Sequence, residues 1–312
     1  MAINEHITEF VRHPVTDWDA EEGILDPHKT FYRIAVSYDE QEEGIRWEDK
    51  FKLFLNDPRS HEALGLVIGD WGLFDGVQDS ASVVEALVSA HDRLANLKAI
   101  FLGDITYEEC EISWLEHCDI SPLFSAYPQL EHFCVRGANN LSFGKLEHNQ
   151  LKTLIIQSGG LGVSVINEIL TAQLPQLEHL ELWLGVDNYG GNATVNDLQL
   201  LLSGNLFPNL TYLGLRDSEI ADDIAKAITT APVLNQIKTL DLSMGTLGDE
   251  GAEALLASPL ISKLEKLDIH HHFCSESVIA RFAKLGIEVD TSEPQKEHSY
   301  GNESYRYVAV SE

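Results

Sequence analysis

A short form, L-x-x-L-x-L/I, returns again and again along this chain, and each return ties the local fold to a neighbour. It occurs at Leu264, Leu267 and Ile269, at Ile237, Leu240 and Leu242, and at Leu210, Leu213 and Leu215. Upstream it occurs at Leu177, Leu180 and Leu182, at Leu151, Leu154 and Ile156, and, with Phe or Val substituted, at Leu130, Phe133 and Val135. Leu97, Ile100 and Leu102 precede these, and Ala63, Leu66 and Ile68 form a weaker copy. The starts lie 34, 33, 21, 26, 33, 27 and 27 residues apart. Positions 4 and 6 share a strand face, so each copy places one short strand with a buried side.

Helical spacing fills the intervals. "VSVINEILTAQL", "ADDIAKAITTAPVL", "DEGAEALLASPL" and "SESVIARFAKL" carry apolar residues three and four apart. "SASVVEALVSAHDRL" opens on a spacing that predicts a capping box from Ser82 to Glu85. Strand, turn and helix repeated at 20 to 29 residues is the pattern of a leucine-rich repeat, with the longer intervals carrying insertions. The expected fold is an α/β leucine-rich-repeat solenoid, a horseshoe with a parallel sheet on the concave face and helices on the convex face. A closed barrel would fill its interior with bulky branched side chains. Glu181, Gly214, Asp241 and Asp268 at the alternate strand positions suit an open face instead.

Residues 1–60 read as an N-terminal cap with a degenerate first repeat. There "FYRIAVSY" alternates like a strand, and "IRWEDKFKLFLND" places Trp47, Phe51, Phe54 and Leu55 on one helical stripe. Residues 61–290 hold about eight repeats, ending near a last strand in "GIEVDTS". Residues 291–312 are expected to be a polar C-terminal tail or cap.

The open face follows from the register. Position 3 gives Gly65, Ala99, His132, Thr153, His179, Tyr212, Thr239 and Lys266. Position 5 gives Val67, Phe101, Cys134, Ile155, Glu181, Gly214, Asp241 and Asp268, and position 7 gives Gly69, Gly103, Arg136, Gln157, Trp183, Arg216, Ser243 and His270. The early rungs are small or apolar. The later ones combine aromatic and Arg side chains, the residue types that dominate interface hot spots, with an acidic line. The expected partner-binding set is His132, Arg136, His179, Glu181, Trp183, Tyr212, Arg216, Asp241, Asp268 and His270. The long intervals add "DITYEECEISWLEHCDISP" and "LGVDNYGGNATVND", expected to rise from one rim.

Charge narrows the partner. With 21 Lys and Arg against 50 Asp and Glu, the formal net charge is −29. Nucleic acid and anionic membrane would be repelled, so the expected partner is a protein or peptide, with a basic patch. No apolar run is long enough for a transmembrane helix, and the first residues lack a secretory signal pattern. Cys110, Cys118, Cys134 and Cys274 make no C-x-x-C pair, which fits reduced thiols in a cytoplasm. Oligomeric state is not encoded in any of these features.

"LDIHHHFC" raises a second possibility. Asp268 and His270 share a strand side, and His272 joins them only if the strand continues, which would give a metal-dependent hydrolase-like site around Asp268, His270 and His272. A fourth ligand is not evident, and no nucleotide-binding or nucleophile-elbow motif occurs. The expectation is therefore a non-catalytic protein with neither cofactor nor metal.

"IKTLDLSMGTLGDEGAEALLAS" resembles the ribonuclease-inhibitor-like class of leucine-rich repeats. Together with "VIGDWG", "IFLGDITYEECEISW", "LEHLELWLGVDNYGGNATVNDL" and "GLRDSEIADDIA", it makes the chain similar to a family of cytoplasmic bacterial leucine-rich-repeat proteins, over about residues 30 to 290. That resemblance implies a repeat fold, no established enzymatic role, and recognition or scaffolding as the function.

Overall fold

The repeated leucines become strands whose fourth and sixth positions are withdrawn from solvent, as at Leu180 and Leu182, Leu213 and Leu215, and Leu240 and Leu242. The structure, a computed structural model, describes residues 3–74, 76–77, 79–301 and 303–312. It is an α/β leucine-rich-repeat solenoid with two compact units, one running to Gln157 and including Thr171–Pro175, the other comprising Ser158–Leu170 and Gln176–Ser311.

In the N-terminal unit, β1 (Glu9–Phe10) turns antiparallel onto β2 (His13–Asp17). From β2 onward the strands are parallel: β3 (Phe31–Ile34), β4 (Gly65–Ile68), β5 (Ala99–Leu102), β6 (His132–Arg136) and β7 (Thr153–Gln157). α1 (Tyr38–Glu42) and α2 (Trp47–Asn56) follow β3, α3 (Ala81–Ser89) follows β4, and α4 (Ser121–Ala126) follows β5. The stripe expected in α2 is buried through Trp47, Phe51 and Phe54, and the indole of Trp47 donates to the carbonyl of Ile34 at 2.9 Å. The capping box expected from Ser82 to Glu85 does not form. α3 already begins at Ala81, and the hydroxyl of Ser80 at its N-cap pairs with His117 Nδ1 at 3.0 Å.

The C-terminal unit carries α5 (Val163–Leu170), β8 (His179–Gly185), α6 (Gln199–Leu202), β9 (Tyr212–Ser218), α7 (Ala221–Ile228), β10 (Thr239–Asp241), α8 (Asp249–Ala257), β11 (Lys266–Asp268), α9 (Glu276–Phe282) and β12 (Glu288–Asp290). Strands β8 to β12 are parallel neighbours in that order. Pairing is in register, so Tyr212, Thr239 and Lys266 stand side by side, as do Gly214, Asp241 and Asp268. Equivalent positions of the repeat therefore form rows across the strands. Asp217 near the end of β9, and Met244 and His271 just past β10 and β11, take left-handed backbone one repeat apart.

The described residues of 291–311 belong to this unit. A hairpin of β13 (His298–Tyr300) and β14 (Glu303–Tyr305) leads to Val308, Ala309 and Val310, all buried. The N–H of Ala309 donates to the carbonyl of Met244 at 2.7 Å, and that of Val310 donates to Asp217 Oδ1 at 2.9 Å. The guanidinium of Arg306 bonds Asp222 Oδ2 at 3.0 Å and Glu297 Oε1 at 2.7 Å. The polar stretch read from the sequence therefore ends in an apolar anchor.

Candidate functional site

On the face of β8–β11 away from the helices, a network grows from Gly214. A methyl group there would stand 3.2 Å from both Glu181 Cγ and Tyr212 Cε1, so glycine is what lets those side chains fold across the strand. Arg216 is the hub. Its guanidinium donates to Glu181 Oε1 at 2.7 Å and to Ser243 Oγ at 3.0 Å, lies 3.3 Å from Asp241 Oδ2, and sits 5.4 Å from the Trp183 ring centroid. The Trp183 indole donates to the same Glu181 oxygen at 2.7 Å, and Tyr212 donates its hydroxyl proton to Asp241 Oδ2 at 2.5 Å. The His179 and Tyr212 rings stack with centroids 3.8 Å apart.

These contacts set the charge states. Burial pushes the Glu181 carboxyl up, but the hydrogen bond to His179, the charge of Arg216 and the Trp183 N–H together hold it down at about 2. Burial and the neighbouring carboxylates push the Tyr212 phenol far above its ordinary value, so it remains a donor. Burial works against the charge on Arg216, yet Glu181 and Asp241 outweigh it and keep the guanidinium protonated.

At the far end of the same face, His270 Nδ1 lies 2.7 Å from Asp268 Oδ1, and Lys266 Nζ lies 3.2 Å from Asp268 Oδ2. Burial raises the Asp268 carboxyl, and the His270 and Lys266 contacts more than reverse this, to about 2. The convergence expected of Asp268, His270 and His272 does not occur. β11 ends at Asp268 and the backbone reverses at His271, which carries the His272 side chain inward. There His272 Nε2 meets the carbonyl of Thr291 at 3.1 Å, and Nδ1 accepts from the Cys274 N–H. Asp290 takes its place: ligand atoms of Asp268, His270 and Asp290 lie within 4.8 Å of one another.

The remaining sequence-predicted residues lie in the N-terminal unit and behave differently. His132 is half-buried, with Nδ1 2.9 Å from Thr153 Oγ1. Arg136, expected to present its guanidinium to a partner, is 2% exposed. It donates to Asp104 Oδ1 at 3.3 Å, to the Ile105 carbonyl at 2.8 Å and to Gln157 Oε1 at 2.9 Å. Trp183 in the other unit is enclosed likewise, at 6% exposed. Both large side chains are spent on holding their own sheet face in shape.

The register reading stopped at position 7 and so missed Asp104. This carboxylate is fully buried, and Arg33 reaches it from β3 with Nη1 3.1 Å from Oδ2. Asp70, Asp104 and Asp217 all stand at the eighth position of their repeats and all are buried. That recurrence was the available signal. Within the insertion after β5, Asp104 is thus structural, whereas Trp114 is 70% exposed.

The apolar early rungs are not open. Gly65, Val67, Gly69, Ala99, Phe101 and Gly103 are buried: Val67, Ala99 and Phe101 lie against the chain's own first residues, whereas Gly69 meets Ala35 and Gly103 meets the Arg136 carbonyl. Phe31 folds over Gly65, whose missing side chain leaves the space for its ring. Phe10 packs with its centroid 6.1 Å from that of Phe31 and 5.6 Å from that of Phe101.

Among the described residues no helix is long and apolar enough to cross a membrane. The Leucine Rich repeat family model matches residues 235–256, the segment from the approach to β10 through most of α8. No curated protein matches the chain. An internalin of Listeria monocytogenes aligns at 14% identity over 74% of this chain and 81% of its own, with a TM-score of 0.25, a level that carries no structural or functional inference. The crystal structure of a Bacteroides fragilis protein is far more similar. It shares 35% identity over 89% of this chain and 76% of its own, with a TM-score of 0.81. The chain belongs to the same protein family as that Bacteroides fragilis protein, and it is built from leucine-rich repeats.

Proposed function

We propose that this protein is a non-catalytic recognition module that binds a protein or peptide on the face of β8–β11. Leucine-rich-repeat solenoids expose extended sheet surfaces for protein interaction. One observation carries the reading. Arg216 is locked simultaneously to Glu181, Asp241 and Ser243, so the stacked His179–Tyr212 pair beside it is held in one geometry before any partner arrives. A partner then orders few side chains on this surface, and that ordering is a main cost of association.

Glu181 and Asp241 share the Arg216 guanidinium and Asp268 is paired with Lys266, so much of this acidic row is already compensated at contact distance. The long-range field of a −29 chain favours a partner with a basic patch and speeds its encounter. The same field disfavours nucleic acid and anionic membrane. Four cysteines present as thiols, with no disulfide among them, support a reducing bacterial cytoplasm as the compartment. The ribonuclease-inhibitor-like character of the repeats belongs to the same reading.

The test is affinity capture from native lysate at low and moderate salt, comparing the natural chain with His179→Ala and Tyr212→Ala. A protein held by the natural chain, released by salt and lost from both variants supports the reading. Equal retention by folded variants moves recognition elsewhere and refutes it for this face.

A further inference from the structure

The N-terminal unit has its own version of a recognition surface, and it is already filled. Val67, Ala99, Phe101 and Cys134 form a buried apolar strip across β4, β5 and β6, with Ile155 of β7 half-buried at its edge. Against it lie Ile7, Phe10 and Val11. The segment crosses the strip and joins the sheet only at its end, where Glu9 and Phe10 pair with β2 and the Thr8 carbonyl accepts from the Val15 N–H at 2.8 Å. The Ile3 carbonyl accepts from the Tyr107 N–H at 2.9 Å, beyond the end of β5, while Phe10 sits at the β1–β2 turn.

Polar anchors fix its polarity. The Ile7 N–H donates to Asp104 Oδ1 at 3.3 Å. His6 Nδ1 lies 3.1 Å from the Asp104 carbonyl and 3.5 Å from Oδ2, and Nε2 lies 3.3 Å from Glu109 Oε1. Asp104, which already holds Arg33 and Arg136, and Glu109 thus receive the His6 imidazole, and the strip beside them receives an aliphatic residue next in sequence and an aromatic one three further on.

The segment is lightly held. Phe10 is buried, but Ile3, His6, Ile7 and Val11 are only partly so, and Asn4, Glu5, Thr8, Glu9 and Arg12 are exposed. The turn that returns it to β2 places Val11 and Arg12 in left-handed backbone, at φ 50° and 60°, a conformation that disfavours both residue types.

We propose that the strip across β4–β6 is a peptide-docking surface occupied in the free protein by residues 3–11. Its partner ligand is an extended segment bearing a cationic residue, an adjacent aliphatic residue and an aromatic residue three positions later. Asp104 and Glu109 take the cation, and the strip formed by Val67, Ala99, Phe101 and Cys134 takes the two apolar side chains. A tethered occupant acts at an effective concentration near millimolar, so the free ligand binds the natural chain weakly until the tether is loosened. This surface is separate from the face of β8–β11, and the proposal stands whether or not that face binds anything.

The probe is a fluorescent peptide, INEHITEFVR, with a control in which its Ile7 and Phe10 equivalents are Ser. It is titrated into the natural full-length chain, into Ile7→Ser and into Phe10→Ala, with circular dichroism and size-exclusion chromatography alongside. Ile7→Ser, a partly exposed position, guards against the chance that Phe10→Ala fails to fold. The expected result is a folded monomeric Ile7→Ser chain that binds the peptide about tenfold or more tightly than the natural chain and ignores the control. Three results overturn the proposal. A folded Ile7→Ser chain with no gain in binding makes the segment a permanent plug. Unfolding of both variants makes it core. Dimers that form without peptide make a second copy's segment the occupant.

Discussion

Arg136 of β6 donates to Asp104 across a distance of 3.3 Å at a point where both side chains are withdrawn from water. Burial lowers the Arg136 guanidinium's affinity for its proton, and the same burial is offset at Asp104 by His6, Arg136 and Arg33, which hold the carboxyl below its ordinary range. An ion pair of this kind costs more to break than to replace. Arg136→Ala is expected to destabilise the chain by about 3 kcal/mol, because it leaves the Asp104 carboxylate short of a partner. The Arg136→Met, Asp104→Asn double variant should lose less than the sum of Arg136→Met and Asp104→Asn made singly. Urea denaturation of the four proteins in the cycle measures the coupling, and strict additivity would refute it.

His6 faces Asp104 and Glu109, with Arg33 as the nearby cation. Hydrogen bonds to Asp104 and then Glu109 raise its pKa from 6.5 to about 9, against the opposing effects of burial and Arg33. A raised folded-state pKa means the contact contributes in full below about 6.5 and is lost as pH climbs through about 9. An NMR titration of the His6 imidazole should follow this, and a Glu109→Gln variant should titrate lower. A midpoint near 6.5 in the natural chain would contradict the docked geometry.

A methyl group at Gly214 would press on Glu181 and Tyr212 at 3.2 Å, so both would have to shift by a few tenths of an ångström. Gly214→Ala should destabilise the protein by about 1–3 kcal/mol through overpacking, and should separate the His179 and Tyr212 rings. The expected signature is a lower urea midpoint at unchanged slope, with altered ring-current shifts at His179. A neutral outcome would mean that the network tolerates displacement and is not held rigidly.

Tyr212→Phe removes one hydroxyl from Asp241 while keeping the ring on His179. The expected cost is about 1.5–3 kcal/mol, that of a hydrogen bond to a charged acceptor. Because the stacked rings remain, partner capture should survive Tyr212→Phe and fail in Tyr212→Ala. Loss of capture in both would transfer the recognition role from the ring to the hydroxyl.

A divalent ion at Asp268, His270 and Asp290 would have to displace Lys266 and break the His270–Asp268 bond. Calorimetric titration with zinc is therefore expected to give no stoichiometric uptake. A saturable site abolished by Asp290→Asn would reopen the metal reading with Asp290, not His272, as the third ligand.

The repeat, the α/β class, the strand register and the rows of residues across β8–β11 follow from the sequence alone, because a period-two strand with leucines at fixed positions has only one way to bury them. The stripe of α2 and the last strand, β12, were legible for the same reason. What residues lie on a face is local information. Whether that face meets water is not, and here the two parted. Phe101 and Ala99 point away from the helices as their register requires, yet Phe10, far away in the chain, closes over that strip. Arg136 and Trp183 stand on the expected faces and are consumed by Asp104 and Glu181. His272 departed from its row because left-handed backbone at His271 reversed the chain between them. Periodicity records the side on which a residue emerges. Only the tertiary structure, by bringing distant charges and apolar surfaces to van der Waals distance, decided which of those residues were left for a partner.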